Sequence, residues 1–504
     1  MLTPTTGSIL IIATIGLILL NRKSSNVPLA NPPSTFGLRI LKQFDFFQNG
    51  MQIYNSSRKK FAGKPFRLLT GLGDVIILPP RFAHTIRNNE NLSFSKAAFN
   101  DFHGTVPGFD PIGIIDHDGQ VLQGLARKQL TKHLNTVTEP LSAEATYATR
   151  FVFGDSSEWK DAVLQESILT LVARLSSRIF LGEELCRNED WLDITKNYTV
   201  NAFKAAVMMT VVPSFLKPLL PYVSKDCKEV RAQRDRAREI IKPVIEKRRA
   251  LKEKARLAGQ PIPVLNDALE WGEQEHNGVS YNPADLQLVL SFAAIHTTTD
   301  LTMSTLLLLA NKPDEVRELR EEMVRVLKAE GWRKSALFNM KLLDSALKET
   351  QRLKPNDMLG MRRVALKDVT LDENIFVPKG QYTMVDSWPM MDPSIYPDPE
   401  KYDIHRFLRM RETPGGSNKA QLVSTSPDHI AFGHGMHACP GRFFAANEIK
   451  IALCHLLLKY DWELAPGSNA DPVVSGTAYY VNPETRVRFR RRKEEIDLES
   501  LEFN

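Results

Sequence analysis

Cys439 lies in a stretch that reads AFGHGMHACPGRFFAA from Ala431 to Ala446. Glycines precede it, and Pro440 marks the passage into an apolar run through Ile449, Leu453 and Leu456 that has helical spacing. A sulfur at a helix start is favoured as thiolate by the helix dipole and the unpaired amides of the first turn, so it can ligate a metal. Gly433, Gly435 and Gly441 let the backbone pass close to something flat and bulky. Three uses of the sulfur are open on residue type. One is a buried structural thiol. Another is zinc held by His434, His437 and Cys439, although the spacing lacks the paired ligands of structural zinc sites and no second cysteine is near in sequence. The last is an axial thiolate to haem iron.

The surrounding residues favour the last. Phe432, Gly435, His437, Cys439 and Gly441 fill a full F-x-x-G-x-[HR]-x-C-x-G signature. On these residues the chain resembles the cytochrome P-450 superfamily of haem-thiolate monooxygenases. The resemblance implies a mainly α fold with small β-sheets, with haem b lying between a long central helix and the cysteine loop. It makes Cys439 the axial iron ligand, with Phe432, Gly433, Gly435, His437 and Gly441 around the cofactor.

Glu349 and Arg352 in ETQR are three residues apart, which places both on one helical face. Alone they read as a surface ion pair worth little. In the resembled family an E-x-x-R pair on a buried helix joins a later arginine to lock the haem-side core. Arg406 in YDIHRFL is similar to that third member, with Ile404 where proline is common.

Upstream, AAIHTTT from Ala293 to Thr299 puts small residues in mid-helix, where a flat ligand can approach closely. Thr297 and Thr298 can bond back to a carbonyl one turn earlier and loosen the helix. The family pattern is [AG]-G-x-[DE]-T-[TS], and by resemblance Thr297 falls on the threonine that supports proton delivery to iron-bound oxygen. Ala294 replaces the usual glycine and His296 the usual acid. An imidazole still relays protons near neutral pH, so His296, Thr297 and Thr298 form the expected catalytic set. The plain alternative makes His296 a packed helix residue.

Haem propionates require cationic partners. The resemblance suggests Arg127, in a helix expected from Gln120 to Leu130, with Gln123 where the family often has tryptophan. Arg363 and His437 are further candidates, and for each an exposed charge is the alternative. By analogy with the family, DFHGTVPGFDPIGII from Asp101 to Ile115 is expected to be a flexible loop over the pocket. Phe102, Pro107 and Ile114, together with Phe292 and Ala293, are the expected substrate contacts.

The elements that must position these residues are mostly helical. Helical periodicity runs from Ala162 to Leu181 and, in a highly charged stretch with a solvated face, from Arg231 to Ala258, where Pro243 is a potential kink. Asn282 and Pro283 form a helix start for a buried helix running from Ala284 towards Leu309. Helices are also expected over Asp314 to Glu330 and Lys341 to Leu353. Strands are expected at Arg363 to Val369, Ile375 to Val377 and Val487 to Arg490, and an irregular meander around Pro389, Pro393, Pro397 and Pro399.

The chain has 504 residues, 43% hydrophobic and 25% charged, enough for a large core. Without an internal repeat or a long linker, one domain over 37–504 is expected. Four scattered cysteines argue for a reducing compartment. The net charge of +6 suits an acidic partner or anionic lipid, whereas the lack of basic tracts interleaved with aromatics argues against nucleic acid. Leu2 to Leu20 carries no charged side chain, and Arg22 and Lys23 follow at once. Residues 1–21 therefore read as a transmembrane signal anchor with the body on the cytosolic side, and the proline-rich 22–36 as a semi-rigid spacer.

The function so implied is hydroxylation or multi-step oxidation of a lipophilic small molecule, with electrons from NADPH through a membrane-bound cytochrome reductase. The location implied is the endoplasmic reticulum membrane. The best match, over the last hundred or so residues and at AAIHTTT, is to fungal oxidases of terpenoids and related products, including indole-diterpenes. The alternatives are a haem-thiolate isomerase or dehydratase needing no reductase, a non-catalytic haem-binding protein and a degenerate scaffold. Retention of Thr297 argues against the first two.

Overall fold

The computed structural model describes residues 24–34, 38–210, 212–213 and 215–503. The expected anchor at 1–21 lies outside them. Among the described residues no helix is long and apolar enough to cross a membrane.

The helical body comprises α1 (Arg39–Phe61), α2 (Phe94–Asp101), α3 (Leu134–Phe153), α4 (Leu164–Leu181), α5 (Glu189–Thr210), α6 (Lys225–Leu257), α7 (Ala268–Glu275), α8 (Pro283–Leu309), α9 (Pro313–Glu330), α10 (Lys341–Leu353) and α11 (Arg442–Lys459). At its side stands a five-stranded sheet. Its strands are β1 (Phe66–Thr70), β2 (Gly73–Leu78), β3 (Leu92–Ser93), β5 (Leu359–Ala365) and β8 (Tyr382–Asp386), in the order β1-β2-β8-β5-β3. Smaller sheets join β4 (Lys160–Val163), β9 (Tyr460–Leu464) and β12 (Arg486–Arg491), pair β6 (Val369–Leu371) with β7 (Ile375–Val377), and form a hairpin of β10 (Val473–Ser475) and β11 (Ala478–Tyr480).

The molecule is built around α8. The Asn282 side-chain oxygen accepts from the amides of Ala284 at 2.9 Å and Asp285 at 3.3 Å, and Pro283 sits in the first turn. A capped start and apolar residues on every side suit a helix packed all round. Its neighbours are α4, α5, α6, α7, α10 and α11. The main core runs through these helices, from Leu171 and Leu175 on α4 to Leu288 and Val289 on α8 and Leu453 and Leu456 on α11.

Several expected boundaries shift where pairing overrides helical periodicity. The helix expected from Ala162 begins at Leu164, because Lys160–Val163 pairs with β12. The charged helix begins earlier, at Lys225, and continues through Pro243. The strand expected over Arg363 to Val369 divides between β5 and β6. The helix expected from Gln120 to Leu130 is a helical turn at Val121–Gly124, a π-helical turn at Leu125–Gln129 and a further turn at Leu130–Lys132. Such wide turns recur at functional sites.

Two connecting segments are tied to the body. The segment expected over the pocket is a non-helical loop from Phe102 to Phe109 that ends in helical turns at Asp110–Gly113 and Ile114–Asp116. The Tyr198 hydroxyl donates to the Gly108 carbonyl at 2.9 Å, Asp110 pairs with Arg234, and Asp101 is clasped by both arms of Arg362 at 2.6 and 2.9 Å. The described part of the spacer, 24–34, does not stand away from the body. The Ala30 amide donates to the Arg67 carbonyl at 2.9 Å and the Arg67 amide to the Pro28 carbonyl at 2.8 Å, so this segment runs along the edge of β1.

Candidate active site

Cys439 sits just ahead of α11 in a loop closed by its own backbone. Its amide donates to the Phe432 carbonyl at 2.8 Å, and the Arg442 guanidinium bonds back to the Cys439 carbonyl at 2.8 Å. Gly433 and Gly435 adopt φ of +67° and +81°, in the left-handed region. At Gly435 a side chain is also excluded by space, since a Cβ would lie 2.4 Å from the Arg87 carbonyl oxygen. The Met436 amide, next in the chain, donates to that same carbonyl at 3.1 Å. Gly441 differs: its φ is −86° and a Cβ would enter open space. Its expected backbone role is therefore not needed for the turn itself.

The electrostatics of the sulfur depart from the sequence expectation. Burial pushes the Cys439 thiol up, against the opposing amides of Gly441 and Arg442 and the Arg442 guanidinium. Helix-start stabilisation is present but loses to desolvation. The sulfur holds its proton unless a cation bonds to it, and such a bond replaces the missing solvation. Cys439 is nonetheless only partly covered, although its surroundings are densely packed.

Uncovered positions also occur in the middle of α8. That helix is buried through Ala284 to Ser291 and again from Leu301 to Leu306, but Ala293 and Thr297 are exposed and Asp300 is half-buried. With 3.6 residues per turn these three positions fall within about 60° of one another, so they form one window on a helix otherwise covered. The Thr297 hydroxyl donates to the Ala293 carbonyl at 2.9 Å, within reach also of the Ala294 carbonyl at 3.2 Å. Thr298, expected to do the same, is buried beside the window, and α8 stays regular rather than loosened. His296 points elsewhere: its Nε2 lies 2.9 Å from the Lys196 carbonyl on α5, and burial lowers its affinity for a proton.

Two arginines and a histidine converge beside the cysteine loop. Arg363 on β5 is 1% exposed, and burial alone pushes its guanidinium down to about 10. Nη1 donates to the Arg362 carbonyl at 2.7 Å, while Nε and Nη2 have no partner among the described residues. An unpaired buried guanidinium is costly, so these donors want an anion. His437 reaches the Leu92 backbone, and burial with the nearby charges of Arg363 and Arg127 pushes its ring down to about 4. Arg127, on the π-helical turn, is exposed and donates to the Met436 carbonyl at 3.4 Å.

Glu349, Arg352 and Arg406 form a buried triad rather than a surface pair. Arg352 holds Glu349 with two bonds of 2.8 Å, and Arg406 reaches the same carboxylate at 2.9 Å. The remaining guanidinium donors go to the carbonyls of Met390, Pro397, Asp398, Pro399 and Lys401. The triad thus ties α10 to the proline-rich meander leading to the cysteine loop.

On the other side of the window Phe102 and Phe292 meet edge to face at 5.2 Å. Phe203 of α5, not foreseen from sequence, touches both. Ile114 is 6% exposed within the main core, and Pro107 is half-buried. Asp300 also escaped sequence reading, although its spacing from Thr297 is the i,i+3 spacing that places two residues on one face.

Comparison with known proteins follows this geometry. The family model described as cytochrome P450 matches residues 36–489. A cytochrome P450 monooxygenase, hepE, from Aspergillus oryzae is 46% identical over 97% of this chain and 90% of its own. Another, adrA, from Penicillium rubens is 40% identical over 96% of this chain and 97% of its own. Among solved structures, the retinoic-acid-bound cyanobacterial CYP120A1 superposes with a TM-score of 0.68 at 20% identity, covering 93% of this chain and 100% of that one.

Proposed function

The chain belongs to the cytochrome P450 family and is a monooxygenase, and on that premise we propose that Cys439 ligates the iron of haem b beneath the Ala293–Thr297 window of α8. The observation that carries this reading is a partly exposed cysteine in a loop whose shape is set by Gly433 and Gly435, with the buried Arg363 guanidinium and His437 close by. The residues present fit the cofactor. Arg363 has two buried donors lacking an acceptor, and His437 and Arg127 stand near it, as carboxylate side arms require.

When bound, haem supplies the activation of dioxygen and the insertion of one oxygen atom into the substrate. The chain's part is to position and to manage protons. Amides of Gly441 and Arg442 spread charge away from the sulfur and set how strongly it donates to the metal. Thr297 keeps a hydroxyl at the window by its bond to Ala293, where it can pass a proton inward. His296, with Nε2 engaged by α5, serves as relay only through its other nitrogen. Phe102, Phe203 and Phe292 offer a contiguous apolar surface to a lipophilic ligand.

The substrate is proposed to be a lipophilic secondary metabolite of terpenoid type, which the aromatic wall and the fungal relatives support. Electrons are proposed to come from NADPH through a cytochrome reductase docking near Arg127 and Arg442. The protein is proposed to be held on the endoplasmic reticulum membrane by residues 1–21 with its body cytosolic. Feeding terpenoids to cells co-expressing the chain and a reductase tests this. A product heavier by one oxygen is expected, and turnover without reductase or dioxygen would instead favour an isomerase or dehydratase.

A further inference from the structure

Asp300 is a carboxylic acid that the reaction just described does not use. It stands about one helical turn beyond Thr297, on the same window of α8. Across from it lies the β10–β11 hairpin, whose Val473, Val474 and Tyr480 are 45%, 39% and 52% exposed. Val473 and Tyr480 are cross-strand partners on one face of the hairpin, and the Tyr480 phenol lies within electrostatic range of Asp300, so this face looks towards the window.

The hairpin is fixed. Asp357, just ahead of β5, accepts from the Thr477 hydroxyl at 2.6 Å and forms a bridge with Ala478. The Val481 amide, following β11, then reaches one Asp300 oxygen at 3.5 Å. This long bond is the contact that favours the charged form, and no lysine or arginine among the described residues acts on the carboxyl. On its own helix, the preceding turn's His296 is turned towards α5. The ionisable groups facing it from the hairpin side are the Tyr480 phenol and, behind that, Asp357, which offer no positive charge. A half-buried carboxyl whose one hydrogen bond is a 3.5 Å contact is a site waiting for a donor.

We infer that Asp300 is the polar recognition group of the substrate pocket, and that it selects a lipophilic molecule bearing a hydroxyl by accepting that hydroxyl's hydrogen bond. The bond anchors one end of the substrate against the hairpin while the carbon to be oxidised lies towards Thr297. Because burial pushes the carboxyl up to about 6, it is ionised and a pure acceptor above that pH, and becomes a protonated, weaker acceptor below it.

This inference rests on the haem-thiolate reading, and the two fail separately. The test uses the haem-loaded full chain without reductase, and equilibrium dialysis of 1-adamantanol and adamantane, a pair of similar shape differing by one hydroxyl. Loss of the red-shifted carbon monoxide band in the unaltered protein would break the underlying reading. With that band present, the alcohol should bind about tenfold tighter than the hydrocarbon at pH 7.5, as a hydrogen bond to a charged acceptor gives. The preference should shrink as pH falls from 7.5 to 5. Asp300→Leu, keeping the band, should bring the two ligands to equal affinity. An unchanged preference in that variant overturns the inference. If the variant does not load haem, the unaltered protein still decides: a preference for the alcohol that grows from pH 5 to 7.5 supports it, and equal affinities or a preference independent of pH overturn it.

Discussion

Arg363 gives the sharpest test at the scale of single residues after Cys439. Its two partnerless buried donors burden the haem-free fold and serve the loaded one. Arg363→Met should therefore leave the haem-free protein as stable or more stable, since apolar replacement of an uncompensated buried charge relieves about 1–4 kcal/mol. The same change should weaken haem retention at least tenfold, measured by transfer to apomyoglobin. Reduced stability with unaltered haem transfer would remove Arg363 from the cofactor site. Thr297→Ala should keep substrate affinity within about twofold while product formed per NADPH consumed falls about tenfold, the order of effect expected for a positioned proton donor. Equal coupling in the two proteins would leave Thr297 only its bond to Ala293.

Elements and their contacts carry the next set of consequences. Glu349 is fully buried and shared by two arginines, so Arg406→Ala leaves the triad with an acceptor short of a partner and several meander carbonyls without donors. Breaking such a pair costs about 3–5 kcal/mol, which thermal unfolding should register together with loss of haem. A second contact, between α4 and α11, depends on pH. Burial pushes the Glu448 carboxyl up to about 8, and among the described residues only the Ser176 hydroxyl donates to it, at 2.6 Å. The folded form retains its proton where the unfolded chain, near 4.5, has lost it, so stability from this group is whole below about 4.5 and drains away as pH rises through 8. Glu448→Gln should flatten that decline, seen as a smaller difference between melting temperatures at pH 5 and pH 8.5. A decline as steep as in the unaltered protein would place the pH dependence elsewhere.

Which parts of these elements were legible follows from where their causes lie. Asn282, Pro283 and the bounds of α10 are local matters of capping and periodicity, and they stand where the sequence puts them. The loss of Ala162 and Val163 from α4 arises from a strand partner more than three hundred residues later, and the split of Arg363–Val369 from two different pairings, with β8 and with β7. The direction in which His296 points was equally hidden, because it depends on a carbonyl a hundred residues earlier. The raised proton affinity of Cys439 is a sum over packing, and no spacing rule contains it.

The whole molecule combines a membrane question with the chemistry. The described chain is already bound to the sheet at Ser25, whose hydroxyl donates to the Phe376 carbonyl at 2.8 Å, and at Ala30. An anchor ending at residue 21 would therefore hold the body close against the bilayer rather than at the end of a spacer. Exposed Leu38, Leu41 and Phe44 on and before α1 lie near that point in the chain and suit such a surface. Removing residues 1–23 should move the protein from the membrane fraction to one released by high salt, with the haem spectrum intact. Continued membrane integration after that truncation would place the anchor elsewhere.

The central claim is that one sulfur, Cys439, holds the iron on which all the remaining chemistry depends. The absorption spectrum of the reduced carbon monoxide complex measures this directly, comparing the unaltered protein with Cys439→Ser. The account predicts a strongly red-shifted Soret band in the first and its loss in the second, with the rest of the fold retained by circular dichroism. A red-shifted band persisting in Cys439→Ser would contradict it.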